Sequence, residues 1–330
     1  MTVPLARLET IQGLRGIAAS MVVVAHAATG QDFMAAFPTL GTIASYGTLG
    51  VPVFFVISGF VIPHMMAAMD YRIGRDAWPF LLRRVVRLEP PYVAMVLLAF
   101  VIAFAAAHTP GYRGAPFAPS PEYFLLQFLY VGPWFGVSWI NDVAWTLAIE
   151  FQYYLLMLLA APLLLAPSYR KQALFFIAAI GLSLFIHDPR AIFLYLPCFA
   201  VGFAVFLYRS KRVGFAAFMA LVVLFIGLAA FNIDIPYAIA TAFAAGAILA
   251  PLRRPLPVLS GLGAISYSLY LIHLPVVARI SNLSMRLPWS WNQTLAAVAA
   301  VAASLLAAIA LWYLAERPAH AWARRIAVRR

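Results

Sequence analysis

Ten stretches of this chain read as long apolar runs with few interior charges: 11–29, 47–67, 88–107, 145–166, 172–187, 191–208, 214–231, 235–250, 258–278 and 293–315. A helix crossing a bilayer takes about 20 mostly apolar residues. The pattern therefore predicts an all-α fold, a polytopic transmembrane bundle of about ten spans. Composition supports this. The chain is 65% hydrophobic and 10% charged, against about 25% charged in soluble domains. Residues 1–330 are read as a single transmembrane domain with no separate soluble unit. The apolar stretch 122–132 is too short to span and is read as interfacial or re-entrant.

The net charge of +12 is assigned to the cytoplasmic membrane edge rather than to nucleic acid. With the N-terminus inside, the inner segments hold 19 of the 23 Lys and Arg residues. The outer ones hold only Arg113, Arg190, Arg279 and Arg286. This asymmetry fits an even number of spans with both termini cytoplasmic. Cys198 lies in an apolar run and is read as buried and inert. The run from Ile17 to Ala28 is read as a retained first span, since Arg15 stands at its edge and His26 is an unusual cleavage-site residue.

Ionisable residues inside spans are costly and point to function. Arg15 and His26 are eleven positions apart, within about 20° of three full helical turns, so both face one way about 16 Å apart along the axis. Imidazole exchanges protons near neutral pH. The alternative is a snorkelling Arg with a hydrogen-bonded core His. Arg83, Arg84 and Arg87 form a cluster in which Arg84 and Arg87 are helical neighbours. Such guanidinium pairs clamp phosphates, or simply mark the inner face, and Glu89 is expected to pair with one of them. Glu150 follows Asn141, Asp142 and Trp145. It can act as a base, orient a His or bind a sugar hydroxyl, or serve as a structural partner for an arginine. Ser266 to Pro275 carries Tyr270 and His273, with helix packing as the plain alternative, and His64 is read as structural. The outer stretch 108–144, with Pro110, Gly111, Tyr112, Pro116, Pro119, Pro121, Trp134 and Trp139, either stacks on sugars or forms an interfacial belt. No metal-ligand spacing, P-loop, dinucleotide fingerprint or nucleophile elbow is present.

Together these segments resemble acyltransferase family 3, the membrane O-acyltransferases that decorate bacterial polysaccharides and other acceptors. The opening Leu8-Glu9-Thr10-Ile11-Gln12-Gly13-Leu14-Arg15, with His26 at the expected spacing, is similar to the family's start. Gly50 to Phe60 resembles its second-span motif, including Ser58, although Pro52 stands where an acidic residue is usual. Arg84 to Arg87 match its Arg-x-x-Arg, followed by Pro90-Pro91-Tyr92. Trp145 to Tyr154 resemble Trp-Ser-Leu-x-x-Glu-x-x-Phe-Tyr with Thr146 for Ser. Ser266 to Pro275 and Glu316-Arg317-Pro318 match the last two elements. The resemblance covers about residues 8–318 and is to stand-alone members.

What the resemblance implies is transfer of an acyl group, commonly acetyl, from cytoplasmic acyl-CoA to a hydroxyl of a carbohydrate or glycoconjugate. The reaction would occur at the outer face of a bacterial inner membrane. Acyl-CoA (acetyl-CoA) is then a co-substrate, with no tightly bound cofactor and membrane lipid as surroundings. His26 and Glu150 are expected to be catalytic. Arg15, Arg83, Arg84 and Arg87 are expected to hold acyl-CoA. Ser58, Tyr92, Asn141, Asp142, Trp145, Tyr270 and His273 are expected to shape the acceptor site. The rival is a transporter or flippase of lipid-linked sugar, against which the sequence shows no internal repeat. Oligomeric state is not legible.

Overall fold

The computed structural model describes residues 5–28, 31–109, 119–166, 168–250, 256–284 and 292–326. Among them, each of the ten apolar stretches forms helix. We label these α1 Leu5–Ala28, α2 Gly50–Ala68, α3 Ile73–Ala107, α4 Ala144–Leu164, α5 Tyr169–Phe185, α6 Ile192–Arg209, α7 Phe215–Asn232, α8 Ile235–Leu249, α9 Ser266–Ser284 and α10 Asn292–Leu311, with α11 Arg317–Arg325 following. Seven helical segments are long and apolar enough to cross a membrane, and an eighth is a pair, Pro257–Ala264 with α9, bent by 67°. Two of the ten expected spans fall short: α5 has 17 residues and α8 has 15, against the about 20 a straight crossing takes. Arg113, Arg253, Arg254, Arg286, Arg329 and Arg330, and the turn residues Pro110, Gly111, Tyr112 and Pro116, lie outside the described residues.

Apolar side chains face outward, as a lipid solvent permits. Leu159, Phe185 and Val223 are each more than 60% exposed. The helices divide by burial. The apolar window of α6 is 78% buried, and those of α7 and the α10–α11 segment 17%. So α6 is a central post and α7 and α10 are walls. Small residues set the central crossing. A Cβ added to Gly59 would land on the Phe199 carbonyl, and one added to Gly202 would land on the Val56 carbonyl. The backbones of α2 and α6 thus touch, the arrangement small residues allow between membrane helices. Gly16 of α1 and Gly263 make a second such contact, which seats α1 against the bent pair and fixes where Arg15 points.

The third helix begins well before its apolar stretch. It runs 35 residues, with Pro79, Pro90 and Pro91 inside it, so Arg83, Arg84 and Arg87 are helical and directed by its register. The stretch 122–132 turns back onto the bundle. Pro121–Phe128 is an eight-residue helix capped by Ser120, whose Oγ accepts from Tyr123 N at 3.2 Å. Its buried Gln127 donates to the Ser138 carbonyl at 2.9 Å and accepts from Ile140 N at 3.2 Å. The Tyr92 hydroxyl donates to the Gln127 carbonyl at 3.0 Å. Beyond α10 the chain passes through one π-helical turn, Trp312–Glu316. Such turns often occur at functional sites, and this one ends on a buried carboxylate.

Candidate active site

Two adjoining cavities run through the middle of the bundle. They share Gln12, Arg15, Arg84 and Arg87 on their walls. The first, a vestibule of about 510 Å³, collects Arg15, Arg83, Arg84, Arg87 and Arg324 around the buried Glu316. The second, of about 430 Å³, is lined by apolar groups such as Val51, Ile57, Ile62, Leu88 and Leu147, with Ser58, Glu150, Thr146 and Tyr270 among them. A cationic chamber thus opens into a mostly apolar one.

The vestibule arginines are held in different ways. Arg84 is buried, with its guanidinium 5.0 Å from the Tyr154 ring centroid and 5.5 Å from that of Phe80. Its Nη2 lies 3.1 Å from Met65 Sδ. It pairs with no carboxylate among the described residues. A buried cation without an anion is expensive, and membrane proteins keep such groups for a purpose. Arg83 Nε donates to the Ile326 carbonyl at 2.8 Å. Arg87 Nε donates to His320 Nε2 at 3.1 Å. His320 Nε2 also lies 3.5 Å from Glu316 Oε1. One nitrogen cannot both accept from Arg87 and donate to Glu316. The shorter contact assigns it the lone pair, so His320 is neutral there and its approach to Glu316 is not an ion pair. Glu316 Oε2 instead accepts from Ser268 Oγ at 2.6 Å and Ser268 N at 3.1 Å.

His26 meets His273. The two rings lie 5.0 Å apart between centroids, with His273 fully buried and His26 half-buried. His273 Nδ1 faces the Tyr270 carbonyl at 2.7 Å and the Leu269 carbonyl at 3.2 Å. Carbonyls only accept, so this nitrogen carries the proton and Nε2 is the acceptor. His26 Nδ1 lies 2.8 Å from the Val22 carbonyl and 3.3 Å from His273 Nε2. It faces acceptors on both sides and therefore also carries a proton. In the neutral pair, the free lone pair of His26 is on Nε2. This is the tautomer a general base needs, fixed from behind by a second imidazole.

Glu150 serves the apolar cavity rather than His26. Its Oε1 accepts from the Tyr154 hydroxyl at 2.6 Å and from Ser58 Oγ at 2.7 Å. The orienting contact on His26 comes from His273. Glu89 pairs with no arginine among the described residues. Its Oε1 accepts from the Tyr130 hydroxyl at 2.8 Å. Burial, with the nearby Tyr267, Glu89 and Tyr92, pushes the Tyr130 phenol well above its ordinary range, so it keeps the proton it donates. The expected charged pairing fails because Glu89 turns toward the Tyr130 side of α3.

The cavities bring together Arg15, Arg83, Arg84, Arg87, Ser58, Glu150 and Tyr270. The other expected site residues stand apart from both walls. Asn141 is buried and donates to the Leu271 carbonyl at 2.8 Å, tying the segment before α4 to α9. Asp142 is exposed. Trp145 packs beside Tyr195 at 5.3 Å and edge-on to Phe55 at 6.4 Å, and Tyr92 anchors Gln127. His64 stacks on Phe60 and meets Phe206 edge-on. Sequence reasoning did not single out His320, Tyr154 or Phe54, and took Glu316 only as part of a motif. Glu316 and His320 did carry a signal: two ionisable residues four apart, on one helical face, at the end of an apolar run.

Off the walls of both cavities, Arg190 spans an exposed corner. Its guanidinium sits 4.5 Å over the Trp134 ring and bonds Asp188 at 2.6 Å. Hydrogen bonds from the Arg190 side chain and backbone hold the Asp188 carboxyl down at about 2. Trp134 is thereby fixed as a half-exposed ring.

A family model described as an acyltransferase domain matches residues 8–313. The O-acetyltransferase OatA of Staphylococcus aureus is 28% identical over 314 residues, which is 77% of this chain and 51% of OatA. The putative membrane-bound transacylase BcsY of Komagataeibacter xylinus is 29% identical over 303 residues, covering 82% of this chain and 73% of BcsY. The acyltransferase MdmB of Streptomyces mycarofaciens is 32% identical over 154 residues, covering 45% of this chain and 38% of MdmB. This chain spans about half the length of OatA. No solved structure matches it.

Proposed function

The chain belongs to acyltransferase family 3, and on that premise we propose that it moves an acetyl group from acetyl-CoA to a carbohydrate hydroxyl across the bundle. The observation that carries this reading is the sequence of chambers. Five guanidinium groups surround a vestibule suited to the phosphates of an anionic donor. The vestibule leads to an apolar cavity suited to an uncharged thioester arm. That cavity ends on Tyr270, three residues from a histidine whose partner presents a basic nitrogen. The excess of positive charge at the vestibule end agrees with a cytoplasmic donor side. The acceptor then enters at the His26 end, at the outer face of a bacterial inner membrane.

In this reading His26 Nε2 takes the proton of the acceptor hydroxyl. The oxygen attacks the thioester carbonyl carbon and a C–O bond forms. The C–S bond breaks, and the departing thiolate takes the proton back from the imidazolium. The products are the O-acetyl ester and free CoA thiol. His273 stabilises the imidazolium by accepting from His26 Nδ1–H. Glu150, bound by Ser58 and Tyr154, fixes the polar side of the apolar cavity against the thioester arm. That the O-acetyltransferase OatA is a relative supports acetyl as the group and an oxygen as the atom that receives it.

The test is transfer of label from radiolabelled acetyl-CoA to envelope glycans by purified protein, beside the His26→Ala variant. Label on glycan with the wild type alone is the expected result. Equal labelling by both would overturn the role of His26. Donor that fails to bind either protein would overturn the acyl-CoA reading.

A further inference from the structure

The apolar cavity stops short of the histidine pair, and what stops it is specific. His26 is absent from the cavity wall, whereas Phe54, Thr146 and Tyr270 are on it. The Tyr270 ring stands edge-on to Phe54 at 5.7 Å between centroids and also lies 5.7 Å from the His273 ring. The Thr146 hydroxyl lies 2.9 Å from the Val143 carbonyl and 2.9 Å from the Tyr270 hydroxyl. Thr146 has one proton. With it on the carbonyl, the Tyr270 phenol donates to Thr146 Oγ1, latching α9 to α4 across the cavity's end. The same residue's carbonyl holds His273 Nδ1. One residue therefore both walls the donor cavity and sets the tautomer of the histidine behind it.

We infer that the Phe54–Tyr270–Thr146 partition is the element that selects the acyl group by length. This rests on the donor path proposed above. An acyl carbonyl reaches the base only past this wall, and acetyl displaces it least. Each further methylene has to be accommodated against the Phe54 ring. Discrimination by one methylene in an apolar pocket reaches roughly 10- to 200-fold. Phe54 is the residue to vary, because its side chain contributes a ring face and no hydrogen bond. Thr146 carries the latch.

The experiment measures kcat/KM of the full chain in lipid nanodiscs with acetyl-, propionyl- and butyryl-CoA. Wild type, Phe54→Leu, Phe54→Ala and Thr146→Val are compared. The expected result is a preference for acetyl in the wild type. Phe54→Ala should raise the butyryl-to-acetyl ratio by about tenfold or more, with Phe54→Leu intermediate. Thr146→Val should raise it less, since the ring remains but its latch is lost. If Phe54→Ala does not fold, Phe54→Leu and Thr146→Val carry the same comparison. Ratios unchanged in the folded variants, while the wild type transfers acetyl, would overturn the partition alone. A wild type that transfers none of the three groups would overturn the functional reading, and the partition with it.

Discussion

The two ends of the central passage are built on opposite principles. At the arginine end, charge is concentrated and only partly neutralised. Arg84 is buried among aromatic rings and a thioether, while Arg83 and Arg87 are steered by a carbonyl and a neutral imidazole. At the histidine end no carboxylate is in contact among the described residues. Two imidazoles and three backbone carbonyls fix each other in a defined tautomeric order. Groups that attract a polyanion need charge with freedom to reorganise around it. A base needs a lone pair held in one direction. Placing them at different ends of the passage leaves distance, rather than screening, to weaken the action of the guanidinium groups on the imidazole that must accept a proton.

The comparison can be broken at either end. The largest effect is expected from His26→Ala, which should lower kcat for acetyl transfer by about 10²- to 10⁴-fold while leaving acetyl-CoA affinity unchanged. Transfer assays beside a donor-binding titration check this. Next, Arg84→Ala combined with Arg87→Ala should weaken acetyl-CoA binding by roughly 10- to 100-fold, the loss of one to two charge-assisted contacts. A steep dependence on ionic strength in the wild type should flatten in the variant. Unchanged affinity would mark the arginines as mere inner-face charges.

A smaller effect sharpens the arginine end. Arg87 is aimed by His320, so His320→Ala should raise KM for acetyl-CoA several-fold, by about 1 kcal/mol, with kcat intact. His320→Gln offers Arg87 an amide oxygen and should recover much of the loss, which a purely structural role would not predict. The smallest effect is expected far from the passage. The lowered Asp188 titration means that its bond to Arg190 is present above the ordinary carboxyl range and is lost as pH falls through about 2. Asp188→Asn should therefore speed tryptic cleavage after Arg190 modestly at neutral pH and leave transfer untouched.

Much of this was legible from sequence because membrane helices show their logic in one dimension. The scarcity of charge located the helices. The eleven-residue spacing predicted Arg15 and His26 on one face; Arg15 lines the vestibule, while His26 lies against His273 and off both cavity walls. What was not legible depends on the third dimension. His273 meets His26 across 247 positions of sequence, and no spacing rule connects α1 with α9. Glu89 was assigned to an arginine by proximity in sequence, but helix register turns it to Tyr130. The start of α3 was misjudged because hydropathy marks where a helix enters lipid, not where helical hydrogen bonding begins, whereas its end at Ala107 was as expected. The shortness of α5 and α8 was already visible in the stretches 172–187 and 235–250, each below the about 20 residues of a straight crossing.

The most direct test of the separation between binding and chemistry is to titrate acetyl-CoA against His26→Ala in lipid nanodiscs and follow label transfer in the same sample. If binding and chemistry occupy different ends, the variant binds donor with wild-type affinity and transfers label about 10²- to 10⁴-fold more slowly. Loss of donor binding in that variant, with the protein folded, would contradict the separation.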